Sequence, residues 1–142
     1  MSDPSAPATL DLGVIGNGTL GALLDSRGRI VWCCLPAFDG DPAFCSLLSP
    51  VAHDGGWFDL ALEGECGHSQ HYVDNTAVLV TRLDAADGSA VEITDFAPRF
   101  KQNGRIYHPM SLVRMIRPLA GAPRITLRLR PLAGYGERTP ER

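Results

Sequence analysis

Gly16, Gly18 and Gly21 stand in the spacing G-x-G-x-x-G, directly after a stretch from Leu10 to Ile15 that reads as a strand. In that context the pattern suits a dinucleotide pyrophosphate, because glycines let the backbone approach it and a following helix offers its N-terminus. The chemistry requires the helix, yet only Ala22-Leu23-Leu24-Asp25 separates Gly21 from the turn cluster Ser26-Arg27-Gly28. A crossover helix takes roughly 10 residues or more. The spacing instead predicts a β-hairpin, with strands at 19–24 and 29–35. Asp25 opens the turn by accepting backbone N–H bonds, and Gly28 closes it because glycine tolerates positive φ.

Other residues with reactive side chains carry less. His68 and His71 would point to opposite faces of a strand, and no third ligand stands near them, so no metal site is expected. Glu63-Gly64-Glu65 reads as a solvated polar connection and not as a carboxylate pair. Ser46, Ser49 and Ser111 lie outside any G-x-S-x-G context. Cys33, Cys34, Cys45 and Cys66 lack C-x-x-C spacing, and adjacent Cys33 and Cys34 cannot face one metal from one strand, so buried, inert thiols are expected. No cofactor is implied.

The elements that would position these residues repeat with a period of two. Phe58, Leu60 and Leu62 share a face, as do Val91 and Ile93, and Ile125, Leu127 and Leu129 alternate with Thr126, Arg128 and Arg130. Each set predicts a strand with one buried face, the arginines with Arg124 being the wet side. Residues 77–80 are apolar on both faces and read as a central strand. Turns are expected at Asp54-Gly55-Gly56, Asp87-Gly88, Asn103-Gly104 and residues 120–123. Pro36 stops the second strand of the first hairpin. Asp41-Pro42 reads as the start of one short helix near residues 42–48. The fold class that follows is all-β, an antiparallel β-sandwich.

The chain has 142 residues, net charge -3 and 44% hydrophobic residues, which suits one globular domain. With Lys101 as its only lysine it lacks the clustered basic surface of a nucleic-acid binder. Residues 1–9 are a polar Pro/Ala/Ser tail, neither signal peptide nor membrane anchor, so a cytoplasmic setting is expected.

The run IGNGTLGALLDSRGRIVWCCLPAFDGDPAFCSLL also resembles the opening of the N-terminal β domain of bacterial glycoside hydrolase family 15, the glucoamylase-like and trehalase-like enzymes. The marks are Trp32, Cys34-Leu35-Pro36, Phe38-Asp39 and Phe44, followed in order by Tyr72-Val73-Asp74-Asn75-Thr76, Val78-Leu79-Val80-Thr81-Arg82, Asp87-Gly88, residues 91–98, Leu112-Val113-Arg114 and Tyr135-Gly136. The resemblance implies a supersandwich-like domain over residues 10–136, incomplete at its C-terminal end, with a polar tail or truncation point at 137–142. It implies a partner as well, the catalytic (α/α)6 barrel that carries two glutamates and acts on α-glucosides, and no part of this sequence reads as that barrel. Catalytic residues are therefore expected to be none, and the chain is expected to be inactive alone, a support for the barrel.

By the same resemblance Phe38, Asp39 and Asp41 are candidates for substrate or interdomain contact; Trp32 is a further candidate, for stacking on a sugar face, set against the more frequent reading of a tryptophan in an apolar strand as core. Ala37 stands where many relatives carry arginine, and Ala133-Gly134 where Phe-Asp is frequent. Arg82, Asp95 and Arg114, charges at apolar strand positions, are expected to pair as a structural network. A freestanding carbohydrate-binding or protein-interaction module is the alternative, and an exposed sheet surface is expected to allow a homodimer.

Overall fold

The structure is a computed structural model that describes residues 10–48 and 55–136. The tails expected at 1–9 and 137–142, and Ser49 and Asp54, lie outside the described residues. One sheet consists of β1 (Gly13–Gly16), β2 (Gly21–Leu24), β3 (Ile30–Cys34), β5 (Trp57–Leu62) and β12 (Ile125–Arg130), side by side in that order, with β4 (Pro42–Phe44) paired to β3. The second sheet runs β11 (Val113–Ala120), β8 (Ala90–Phe96), β7 (Leu79–Ala85), β6 (Glu65–Tyr72). A separate hairpin is made of β9 (Phe100–Gln102) and β10 (Arg105–Tyr107). Every pairing is antiparallel, and the two large sheets enclose the core as a β-sandwich.

The hairpin predicted after Gly21 is present, and no helix follows that glycine. Asp25 Oδ1 accepts from the N–H groups of Arg27 (3.0 Å) and Arg29 (2.9 Å), and the Gly28 N–H reaches the Asp25 carbonyl at 2.9 Å. Gly28 has φ of 76°, and a Cβ there would meet Thr81 Oγ1 of the other sheet at 3.0 Å, so the turn is glycine-dependent twice over. The turns at Asp87-Gly88 and Asn103-Gly104 also form, the latter with positive φ at both residues (50° and 74°), as a two-residue hairpin loop requires.

The core has two parts. Ile15, Ala22, Leu24, Ile30, Cys33 and Phe44 pack on Leu79, while Leu60 and Leu62 pack on Leu83, Ala85, Val91 and Ile93. Of residues 77–80, expected as a central strand, Leu79 and Val80 open β7, which does lie inside its sheet, whereas Ala77 and Val78 precede it and Ala77 is exposed.

Three sequence expectations are corrected. The short helix near 42–48 reduces to a 3-10 turn at Ser46–Leu48, because Pro42 and Phe44 alternate inward as β4 and Phe44 stacks on Phe58 with 6.4 Å between ring centres. Pro42 is tolerated there because β4 is an edge strand. Ile125, Leu127 and Leu129 are not buried but 38%, 51% and 59% exposed. They pair with Leu62, Leu60 and Phe58 and so face inward, but the second sheet ends at β11 and nothing among the described residues covers them. Cys66 is exposed, unlike the other three cysteines.

Candidate functional site

The strand directions gather four connections at one end of the sandwich. β1 leads into the turn at 17–20, β3 into the loop at 35–41, β6 into the turn at 73–78, and β8 into the segment 97–112 that carries the β9–β10 hairpin. Asn17 organises this end. Its Oδ1 accepts from the Thr19 and Leu20 N–H groups (3.0 and 3.2 Å), and its Nδ2 donates to the carbonyls of Pro98 (3.0 Å) and Pro109 (2.7 Å), the residues that bracket the hairpin. Arg99 Nη1 donates back to the Asn17 carbonyl at 3.1 Å, and the Thr19 hydroxyl meets His108 through both its carbonyl (3.1 Å) and its Nδ1. Asn17 is therefore a buried bracket for a distant hairpin, a role the Asn-Gly pair alone did not announce.

The loop at 35–41 folds back on itself. The Leu35 N–H donates to the Asp41 carbonyl (3.2 Å), and a Cβ at Gly40 would lie 2.3 Å from the Leu35 carbonyl oxygen, so only glycine closes it. Phe38, 61% exposed, rests an edge on Gly21, where a Cβ would come within 2.9 Å of its ring. Asp39 and Asp41 are exposed beside it, and among the described residues no ion pair engages either. Trp32 lies on the outer face of its sheet, half-buried opposite Leu23, and belongs to neither core cluster. Phe38, Asp39 and Asp41 thus lie at the same end of the sandwich as the hairpin, and Trp32 sits on the strand that leads into their loop.

The hairpin is the more exposed part of this end. Phe100 and Tyr107, paired across it, stack with 5.4 Å between ring centres, and they line a shallow apolar recess with Ile106, His108 and Pro109. All six strand residues are exposed.

The charged groups mostly serve the scaffold. Arg114 Nε donates to Asp95 Oδ1 at 2.7 Å with both side chains buried, and the same guanidinium reaches the carbonyls of Gly28 and Phe58 on the facing sheet. Burial pushes the Asp95 carboxyl up, against the opposing pull of Arg114. Arg82, expected in this network, instead pairs with Asp84 on the outer face of its own strand, because alternation turns it away from the core. Asp59 is buried and accepts from Arg29 (3.1 Å) and Arg128 (2.5 Å), whose guanidiniums also lie 5.5 and 5.2 Å from the Trp57 ring. Glu65, expected as a solvated loop charge, begins β6 and is paired with Arg27. Burial pushes the Cys33 thiol up to about 11, with a smaller contribution from Cys34, which makes it unreactive at neutral pH.

Acid–base cleavage of a glycosidic bond needs two carboxyl groups flanking an open cleft. Here Asp59, Glu65, Asp95, Asp84 and Glu92 face arginines, and Asp25 and Asp87 accept backbone N–H bonds in turns. That arrangement ties strands and turns together.

Comparison with known proteins places the chain. Residues 3–139 match the family model described as trehalase-like, N-terminal. The trehalase of Thermoplasma volcanium is 30% identical over 130 residues, 90% of this chain and 20% of that protein. Trehalase 1 of Sulfolobus acidocaldarius is 40% identical over 88 residues, 61% of this chain and 15% of that protein. The trehalase of Thermoplasma acidophilum is 30% identical over 122 residues, 83% of this chain and 20% of that protein. The chain therefore spans a fifth or less of the length of these curated relatives. No solved structure matches it.

Proposed function

The chain belongs to the trehalase-like N-terminal family, and from that premise we propose that it is the non-catalytic β domain of a trehalase-like glycoside hydrolase. In this reading it supports a catalytic domain lying elsewhere in the full-length protein, an (α/α)6 barrel of the family 15 type, and it turns over no sugar alone. The whole enzyme would act on an α-linked glucoside, trehalose by analogy with the relatives named above and not a maltooligosaccharide.

The single observation that carries this reading is the commitment of the buried carboxylates to arginines that tie neighbouring strands together. A general acid must be free to give a proton to a leaving oxygen, and a carboxylate held in a buried ion pair is not. The exposed Phe38 and the carboxylates of Asp39 and Asp41 sit where a neighbouring domain can reach them, which suits an interdomain contact.

Incubation of the purified 142-residue chain with trehalose tests the reading. No glucose should be released, and sustained release that scales with chain concentration would overturn it. The stacked Phe100–Tyr107 pair leaves a freestanding carbohydrate-binding module as the second reading. That module would show saturable binding of trehalose or maltooligosaccharide by calorimetry.

A further inference from the structure

The formal charges are segregated along the chain. Residues 1–95 hold 14 of the 16 carboxylates, whereas residues 96–136 hold eight Lys or Arg and no Asp or Glu. Four of those eight are paired with carboxylates from earlier in the chain: Arg114 with Asp95, Arg117 with Glu92, Arg124 with Glu63 and Arg128 with Asp59. Of the remaining four, three stand on or beside one hairpin, Arg99, Lys101 and Arg105, with no carboxylate within ion-pair distance among the described residues.

The same hairpin exposes Phe100 (47%), Ile106 (57%) and Tyr107 (40%), with Met110 (55%) just beyond it. Its residues belong to neither core cluster. A two-stranded ribbon with no buried face is marginal by itself. Here it is held in place from outside, by Asn17 and Thr19 bonding to both of its ends. A feature that adds nothing to the core yet is fixed in position is pre-organised for contact, and fixing it beforehand reduces the ordering cost of association.

We propose that the β9–β10 hairpin is a docking arm that seats on a carboxylate-bearing, apolar-lined surface of the catalytic domain. This rests on the reading above, that the chain supports such a domain, and adds which part makes the contact and what chemistry receives it. Phe100 and Tyr107 supply rigid aromatic area, and the three cations select an acidic rim. The size of the matched relatives, at least five times the matched segment, leaves ample chain to form that surface. The hairpin also lies at the end of the sandwich that presents Phe38, Asp39 and Asp41.

Hydrogen exchange tests this on two proteins: the 142-residue chain alone, and the same chain in place of the matched fifth of the Thermoplasma volcanium trehalase. The amides of 99–110 that lie outside the hairpin ladder should exchange about tenfold more slowly in the joined protein, a degree of protection that reports local closure. K101E/R105E should abolish that difference while leaving the loop at 35–41 protected, and about 1 M salt should weaken it by screening. Protection of 35–41 with none at 99–110 would overturn the docking arm and leave the proposed function standing. Protection at neither segment would remove both. Hairpin protection that rises with concentration in the free chain would assign the arm to a second copy instead, and overturn the proposal.

Discussion

Removing Arg114 is the sharpest perturbation available. Its guanidinium meets Asp95 with two nitrogens, Nε to Oδ1 at 2.7 Å and Nη2 to Oδ2 at 3.1 Å, and lies 4.5 Å from the centre of the Phe58 ring. The same group donates to the carbonyls of Gly28 and Phe58, so one side chain on β11 fastens β8, β5 and the β2–β3 turn. Both partners of the ion pair are nearly inaccessible, with 6% and 1% of their side chains exposed. R114A leaves a buried carboxylate without its cation and should cost about 3–5 kcal/mol at neutral pH, the range for breaking a buried pair from one side.

The pH dependence has a definite sign. Burial raises the Asp95 carboxyl above its ordinary value in the fold, and loss of Arg114 removes the opposing pull. As pH falls, folded R114A takes up a proton before its unfolded chain does. The deficit relative to wild type is therefore full at neutral pH, shrinks as pH falls through the raised folded value, and leaves only lost packing and hydrogen bonds below the unfolded value. Urea titrations followed by Trp32 and Trp57 fluorescence at about pH 7 and about pH 4.5 would measure it, with the m-value checked for constancy. D95L/R114M should recover most of the loss, since an apolar pair of similar volume removes both desolvation penalties. A cost below about 1 kcal/mol, or one unchanged across that pH range, would refute the account of this pair.

N17A removes an acceptor and a donor that together make four hydrogen bonds, and should destabilise the chain by about 2–4 kcal/mol while speeding amide exchange across 97–110. Unchanged exchange there would show that the hairpin is held by something else. Tyr72 Oη accepts from the Val14 N–H at 2.6 Å and bonds its carbonyl at 2.9 Å, closing part of the free edge of β1, so Y72F should increase concentration-dependent association seen by light scattering. A thiol titration with a disulfide reagent at neutral pH should find one fast cysteine, Cys66, in the folded chain and four after unfolding. Modification of Cys33 as fast as Cys66 would contradict its burial. G28A should lower the denaturation midpoint through both its positive φ and its contact with Thr81.

Short-range chemistry was written in the sequence. Asp25 to Gly28 specified a tight turn and left no room for a helix after Gly21, and period-two alternation placed Leu60, Leu62, Val91 and Ile93 on buried faces. The order of motifs from Trp32 to Tyr135-Gly136 carried the family. Local patterns fix such features because a turn or a pleat depends on residues a few positions apart.

What depends on layers and distant partners needed the tertiary structure. The apolar row of β12 is identical in pattern to that of β5, and only the width of the facing sheet decides that one is covered and the other exposed. Alternation could not say that Arg82 turns outward to Asp84 while Arg114 turns inward to Asp95, since that requires knowing which face of each strand meets the other sheet. The pattern that read as a helix at 42–48 yielded to a strand once Phe44 had Phe58 to stack on. Asn17 reached Pro98 and Pro109 across 81 and 92 residues, and that closure, which no local window contains, fixes the basic aromatic hairpin at the end of the molecule that also presents Phe38.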